Sequence, residues 1–362
     1  MKRILLAGGN SGGHIFPGIA LARALTQQEV AEPLFLDHQT PMERKILPDC
    51  GIETISPPWS GIGTIGDSML RIPAARQWLV DQRIDAVVGL GARPAVAVGI
   101  GAWTRGLPLF LLEQNKVMGR ANRFLSRFAR KVFLTWPIDG MSRSLRSRSA
   151  ILGCPVREPF IPSALSTDQK LQLLVMGGSQ GAEPVNQMIL QAVALLRNRQ
   201  AVRIHHICGD EKGAGIQQRW DQLGVEAKVS PFLEDPASAL IDASLVLGRA
   251  GGSTVAEICC VGRPAIYWPY THHRDQHQRL NARHVSQRGG ALVVEDSTPV
   301  QVAQWIDDLV ENRSRLEQMA ESARSLGCPD AAQRISDVLA AHLGADQRGI
   351  PHPVEEVVEG VR

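Results

Sequence analysis

No stretch of the 362 residues is both long and apolar enough to span a bilayer, since no uninterrupted run reaches the ~18 residues that such a helix needs. The first residues, Met1-Lys2-Arg3-Ile4-Leu5-Leu6-Ala7, carry too short an apolar core for a signal peptide and lead straight into glycines. They read as a first strand, and the chain is expected on the cytoplasmic side. There is no Cys-x-x-Cys pair among Cys50, Cys154, Cys208, Cys259, Cys260 and Cys328. Reduced, mostly buried thiols fit that pattern better than a disulfide framework or a zinc site. An excess of one charge sign is also nearly missing, for 39 Lys/Arg against 36 Asp/Glu leave a net value of only +3. The composition, 44% hydrophobic and 21% charged, is globular and excludes collagen, coiled coil and disorder.

The small net charge hides an asymmetry. Residues 1–160 hold 20 Lys/Arg against 12 Asp/Glu, and residues 161–362 hold 19 against 24. A basic front half suggests an anionic partner there, such as a nucleic acid, a membrane surface or a phosphorylated substrate. Nucleic acid is the weakest of these, because no RNA- or DNA-binding module is present.

Short apolar runs alternate with helical stretches along the whole chain. Strands are expected at Arg3–Ala7, Pro33–Asp37, Asp85–Gly89, Pro108–Leu112, Lys131–Leu134 and Ala150–Leu152. The back half offers Leu171–Met176, Arg203–Cys208, Ala227–Ser230, Leu245–Leu247, Ala265–Trp268 and Ala291–Val294. Uninterrupted apolar strands between helices imply parallel sheets covered on both faces. The proline- and serine-rich stretch 136–169 is the natural boundary between two domains. Both halves open alike, with an apolar strand, a glycine-rich turn and a helix. The fold class is therefore α/β, with two doubly wound parallel-sheet domains in tandem.

Four segments carry the chemistry. The first is Gly8-Gly9-Asn10-Ser11-Gly12-Gly13-His14. It lacks both the GxGxxG spacing of dinucleotide folds and the lysine of a Walker loop, which disfavours NAD binding and NTP hydrolysis. Glycines there let a ligand approach the backbone and the helix N-terminus behind them. His14 stands at the mouth of the turn, where ligands sit in doubly wound sheets. It is either a base that takes a proton from an attacking hydroxyl or a helix-start histidine bonded to backbone. The second segment, Gly177-Gly178-Ser179-Gln180-Gly181, is the equivalent turn of the back half.

The third, Gly248-Arg249-Ala250-Gly251-Gly252-Ser253-Thr254-Val255-Ala256-Glu257, offers backbone N–H groups suited to a diphosphate. Glu257 would repel a phosphate, and it fits sugar hydroxyls better. The fourth runs from Thr271 to Arg283 and contains His272, His273 and His277. It lacks a third ligand and an HExxH base, so a polar ligand-facing loop is favoured over zinc. The chain also has no Asp-x-Asp, the motif with which metal-dependent sugar-nucleotide transferases commonly hold their ion. Neutralisation by helix N-termini and arginines such as Arg157 is the alternative.

Together with Glu113-Gln114-Asn115 and Gly153-Cys154-Pro155-Val156-Arg157, these motifs resemble, in order from about Lys2 to Leu343, the MurG family. The resemblance implies a GT-B fold: two Rossmann-like domains facing a central cleft. Residues 1–158 would form the acceptor and membrane-side domain, and residues 159–330 the donor domain. A helix at about 331–343 would pack back on the first domain, ahead of a polar tail, 344–362.

The activity implied is inverting transfer of GlcNAc from UDP-GlcNAc to the muramyl C4 hydroxyl of undecaprenyl-linked lipid I. It needs no cofactor and no catalytic metal, and it takes place on the cytoplasmic face of the inner membrane. By motif match, His14 is the base, and Ser11, Gly12 and Gly13 line the donor sugar and the acceptor diphosphate. Asn115 and Gln278 touch the sugar. Arg157 and Ser179 flank the donor diphosphate and nucleotide. Leu233 presents its backbone to uracil, Gly252, Ser253 and Thr254 hold phosphate, and Glu257 binds ribose. Alternatives are a transferase with another lipid acceptor or a UDP-sugar epimerase.

Departures from the family pattern fall at Gly91-Ala92-Arg93-Pro94, Leu112, Cys154 and Asn10. The first of these bears on the acceptor. An anionic membrane surface is the expected partner of the basic half. Arg120, Arg123, Arg127 and Arg130 would form one helical face beside Phe124 and Phe128, unless those aromatics turn into the core. Met69, Leu70, Ile72, Trp78 and Trp103 are candidates either for an apolar patch or for ordinary core.

Overall fold

The computed structural model describes residues 1–344, apart from 10, 60, 62, 167, 178–181, 210–212, 271–274 and 296. Ser179 and the adjacent His272–His273 pair therefore lie outside the described residues, as does the tail from 345 onward.

Two parallel sheets form the frame. The first contains β1 (Lys2–Ala7), β2 (Ala31–Leu36), β3 (Glu53–Ile55), β4 (Ala86–Gly89), β5 (Leu109–Glu113), β6 (Lys131–Leu134) and β7 (Ser149–Ile151), in the order β3-β2-β1-β4-β5-β6-β7. The second contains β8 (Leu171–Met176), β9 (Val202–Ile207), β10 (Glu226–Ser230), β11 (Leu245–Gly248), β12 (Ala265–Tyr267) and β13 (Ala291–Val293), in the order β10-β9-β8-β11-β12-β13. Every strand pairing is parallel. The central strands are sealed on both faces, as Ile4, Leu5, Leu6 and Val87 show, which is why they read as apolar runs without alternation.

Strand order reverses between β1 and β4 in the first sheet and between β8 and β11 in the second. Such switch points open a crevice at the carboxyl ends of the strands. The Gly8–His14 turn leaves β1 at one crevice, and the Gly248–Ser253 turn leaves β11 at the other.

The C-terminal helix Ala331–Leu343 buries Ile335, Leu339 and Ala340 in the same cluster as Ile4, Leu6 and Ile15 of the first sheet's domain. His342 meets the edge of Phe110, with ring centroids 5.6 Å apart. The chain thus crosses back after the second sheet is complete.

Two local expectations need correction. β3 has no counterpart among the expected strands, because it is three residues long and mostly exposed at the sheet edge. The basic segment is not one long helix: the helix stops at Leu125 after six residues, Arg120–Leu125. The chain must turn there to enter β6, and Phe128 N–H bonds back to the Leu125 carbonyl at 2.9 Å. Arg127 and Arg130 therefore sit beyond the helix. Phe124 and Phe128 pack against the core cluster around Leu125 and Leu109, while Arg120, Arg123, Arg127 and Arg130 stay exposed. Trp78 is core and Ile72 half-buried, whereas Met69, Leu70 and Trp103 are exposed.

Candidate active site

The two crevices face each other. His14 lies in the first turn of the helix Gly12–Gln27, and its Nδ1 is 2.9 Å from Ser11 Oγ. The other edge of the ring lies over Gly91, whose φ of +103° favours glycine. A methyl group there would lie 2.9 Å from His14 Cδ2 and 3.0 Å from Nε2. Burial first, and then the charge of His277, push the His14 pKa down to about 4. The ring is therefore neutral near pH 7 and able to accept a proton.

Contact between the domains is tight at this point. A methyl group on Gly13 would lie 3.7 Å from Ser253 Oγ. One on Gly252 would come within 2.5 Å of the Gln114 carbonyl oxygen and 2.9 Å of Asn115 Oδ1. Only a glycine lets the helix Gly252–Val261 approach the β5 loop so closely. Ser253 is buried there, and Thr254 is half-buried beside it.

Asn281, fully buried in the helix His277–Ser286, ties the junction. Its Oδ1 accepts the Lys116 backbone N–H at 2.8 Å. Its Nδ2 donates to Asn115 Oδ1 and to the Ala250 carbonyl, both at 3.0 Å. Asn115 is held from behind by Glu113, which accepts from its backbone N–H and its Nδ2, each at 3.1 Å. The other Glu113 oxygen accepts from Gly119 N–H and Asn122 Nδ2 at 2.9 Å each. Burial raises the Glu113 pKa against these bonds.

Arg157 and Glu257 form a second cluster. Their side chains are 3.2 Å apart, and the guanidinium lies 4.2 Å from the Phe16 ring centre and 5.0 Å from that of Phe160. Arg157 Nε is buried without a partner. Burial raises the Glu257 pKa, and Arg157 works against that rise. The two residues expected at the diphosphate and the ribose thus bond to each other.

Gln278 Oε1 accepts the Tyr270 N–H at 2.9 Å. Leu233 follows β10 and packs on the second domain's core. Its neighbour Phe232 is exposed, 4.3 Å from Lys45 Nζ of the first domain.

The structure brings Ser11, Gly12, Gly13, His14, Asn115, Gly252 and Ser253 into one junction. It sets Arg157 and Glu257 together beside it, and leaves Leu233 in its own turn. Sequence reasoning missed Asn281 and the bracing role of Glu113. A buried asparagine one turn into a polar helix gives no local signal, and its partners at 115 and 116 are far away in the chain. Among the described residues, no group of three or more His, Cys, Asp or Glu side chains is arranged to hold a metal ion.

Comparison with known proteins agrees with this geometry. Residues 4–134 match the glycosyltransferase family 28 N-terminal domain, and residues 172–335 match the family's C-terminal domain. The UDP-N-acetylglucosamine--N-acetylmuramyl-(pentapeptide) pyrophosphoryl-undecaprenol N-acetylglucosamine transferase of Coxiella burnetii (strain RSA 331 / Henzerling II) is 34% identical, over 92% of this chain and 97% of the relative. The protein of that name from Marinobacter nauticus is 35% identical, over 92% and 96%. The crystal structure of Acinetobacter baumannii MurG superposes with a TM-score of 0.81 at 28% identity, covering 94% of this chain and all of that one. The UDP-GlcNAc 2-epimerase of Neisseria meningitidis, at 14% identity and a TM-score of 0.69, shares the fold alone. The two-domain architecture, the facing glycine turns and these full-length matches place the chain in the MurG family of glycosyltransferases.

Proposed function

We propose that the chain transfers GlcNAc from UDP-GlcNAc to lipid I, giving lipid II in peptidoglycan synthesis. The observation that carries this reading is the neutral His14 ring at the junction of two glycine-rich helix starts. One start would accept the acceptor, the other the donor diphosphate.

The chemistry follows from that arrangement. The muramyl C4 hydroxyl attacks the anomeric carbon, and His14 accepts its proton. The C1–O bond to the diphosphate breaks on the opposite side, so configuration inverts. The N–H groups at Gly252, Ser253 and Thr254, at a positive helix end, stabilise the departing diphosphate. Ser11, Gly12 and Gly13 let the reacting groups approach the backbone. Asn115, braced by Asn281 and Glu113, is positioned to bind the sugar, with Gln278 beside it. Arg157 and Ser179 would serve the diphosphate side, Glu257 the ribose and the Leu233 backbone the uracil. Neutralisation by these groups requires no metal and no cofactor.

Residues 1–158 with the helix Ala331–Leu343 would form the acceptor side, and residues 159–330 the donor side. No helix among the described residues is long and apolar enough to cross a membrane. We place the chain on the cytoplasmic face of the inner membrane, docked on anionic lipid. Support comes from the exposed Arg120, Arg123, Arg127 and Arg130 and from Trp103, which is 49% exposed with its ring centroid 4.5 Å from that of Phe128.

Mass analysis of a short-chain lipid I analogue after incubation with UDP-GlcNAc tests the reaction. The product must gain one N-acetylhexosamine. An unmodified acceptor beside an isomerised donor would favour an epimerase instead.

A further inference from the structure

Resting on the transferase reading, with His14 as its base, we propose that Glu43 is a positioning residue for the transfer. Its carboxyl group holds the first glycine turn at Gly9 and so fixes where Ser11 and His14 stand.

Glu43 is wholly buried in the short helix Pro41–Ile46, which follows β2. Its Oε2 accepts the His38 N–H at 3.2 Å and the Thr40 N–H at 2.9 Å. Thr40 Oγ1 accepts the Glu43 N–H in return, at 3.3 Å. The Gln39 N–H goes to Asp37 Oδ1 at 2.6 Å, and the Asp37 N–H to the Ile55 carbonyl at 3.0 Å. Each N–H from Asp37 to Thr40 is thus taken, and the carboxyl group is fixed in place.

The other oxygen caps nothing. Oε1 is buried without a hydrogen-bond partner. A methyl group on Gly9 would overlap it and lie 3.1 Å from Cδ, so Oε1 rests directly against the turn. Gly8 meets a second stop, for a methyl group there would lie 2.6 Å from Leu90 Cβ. Leu90 is itself tied to the end of β1, its N–H donating to the Ala7 carbonyl at 2.8 Å. Two residues after Gly9, Ser11 opens the helix that carries His14 and stands 2.9 Å from its Nδ1.

The cap alone does not call for a glutamate. Thr64 and Asp67 make the same two-way cap elsewhere in this chain with an aspartate. The extra methylene of Glu43 carries Oε1 to Gly9, where an orphaned buried oxygen is costly. What it secures is the position of the base, because a misplacement of about 1 Å can cost on the order of 100-fold in rate.

The test compares Glu43→Asp, Glu43→Gln and Glu43→Ala with the full-length wild type. It measures kcat for acceptor-dependent UDP release, UDP affinity by calorimetry, unfolding temperature and the ring-nitrogen NMR shifts of His14. Glu43→Asp keeps the cap and withdraws from Gly9. It should lower kcat at least tenfold, move the His14 shifts and leave UDP affinity within threefold. Glu43→Gln keeps the length and an acceptor for both N–H groups, and its kcat should stay within threefold of wild type. Glu43→Ala loses cap and contact together and should lose about 100-fold. Where alanine fails to fold, the other two variants decide.

Glu43→Asp with kcat within threefold of wild type, or with unmoved His14 shifts, would overturn the proposal. So would Glu43→Gln losing as much as Glu43→Asp, or a kcat loss matched by an equal loss of UDP affinity. Wild-type protein that releases no UDP with the acceptor would remove the transferase reading instead. The His14 shifts in Glu43→Asp would still test the contact at Gly9.

Discussion

Truncating Asn281 to alanine tests how the two domains are coupled. Its side chain makes three hydrogen bonds, two of them to the first domain, at Lys116 N–H and Asn115 Oδ1. Alanine leaves that N–H, the Asn115 oxygen and the Ala250 carbonyl without their partner. The site is closed to solvent at Asn281 itself, so water restores little. Each orphaned buried group costs about 1–3 kcal/mol, and three of them at the low end give about 3 kcal/mol. If that cost falls on the closed, reactive arrangement, kcat/KM drops about 150-fold, since about 1.4 kcal/mol is tenfold.

Apart from Arg157, UDP contacts only the second domain in this account, and Arg157 does not bond Asn281, so its affinity should stay within threefold. Asn281→Asp keeps an acceptor for Lys116 but sets a carboxylate oxygen against Asn115 Oδ1 and the Ala250 carbonyl. It should be at least as damaging as alanine. Steady-state UDP release and calorimetry give both numbers. A kcat/KM within threefold of wild type for Asn281→Ala would refute the coupling argument.

Three further outcomes are expected. His14→Ala should lower kcat by 10²–10⁴, the range for a general base, with UDP affinity intact; unchanged turnover would remove His14 from the chemistry. Because the His14 pKa is held down at about 4, the acid limb of kcat/KM should lie nearer pH 4 than 6.5. Glu257→Ala should weaken UDP-GlcNAc about tenfold with a smaller change in kcat, and an unaltered donor affinity would reject its ribose role.

Thermal stability should also fall with acid. His14, His38, His206 and His284 are each pushed down to about 4, chiefly by burial, so the folded state stays neutral where the unfolded chain takes up protons. Their contribution is complete above pH 6.5 and is lost as pH falls from 6.5 toward 4. Glu113 and Glu257, raised by burial, act with the opposite sign above pH 4.5 and offset part of it. The unfolding temperature should therefore drop by on the order of 10 °C between pH 7 and pH 5. A flat profile there would contradict the buried neutral state of these rings.

The strands were legible because burial on both faces writes a continuous apolar run. Lys131–Leu134 and Leu171–Met176 match the expected bounds, and most others shift by one or two residues. Glu53–Ile55 was not legible, since an exposed edge strand needs no apolar signature. The glycine turns were legible for a comparable reason. Close approach at Gly252 demands a missing side chain, and the sequence records that directly. What stayed hidden is what joins distant positions. The Arg157–Glu257 pair spans 100 residues, and the Asn115–Asn281 bond spans 166. Neither leaves a local pattern, because each partner alone is an ordinary polar residue on its own element. The basic segment after Gly119 misled for the opposite reason. Its helical periodicity is real over one turn and a half, but the five residues between Leu125 and Lys131 leave room only for a turn into β6.

The most direct measurement is UDP release from UDP-GlcNAc in EDTA, with and without a short-chain lipid I analogue. The account predicts release that depends on the acceptor, persists in EDTA and stops in His14→Ala. Tight UDP-GlcNAc binding with no release in the presence of that acceptor would contradict it.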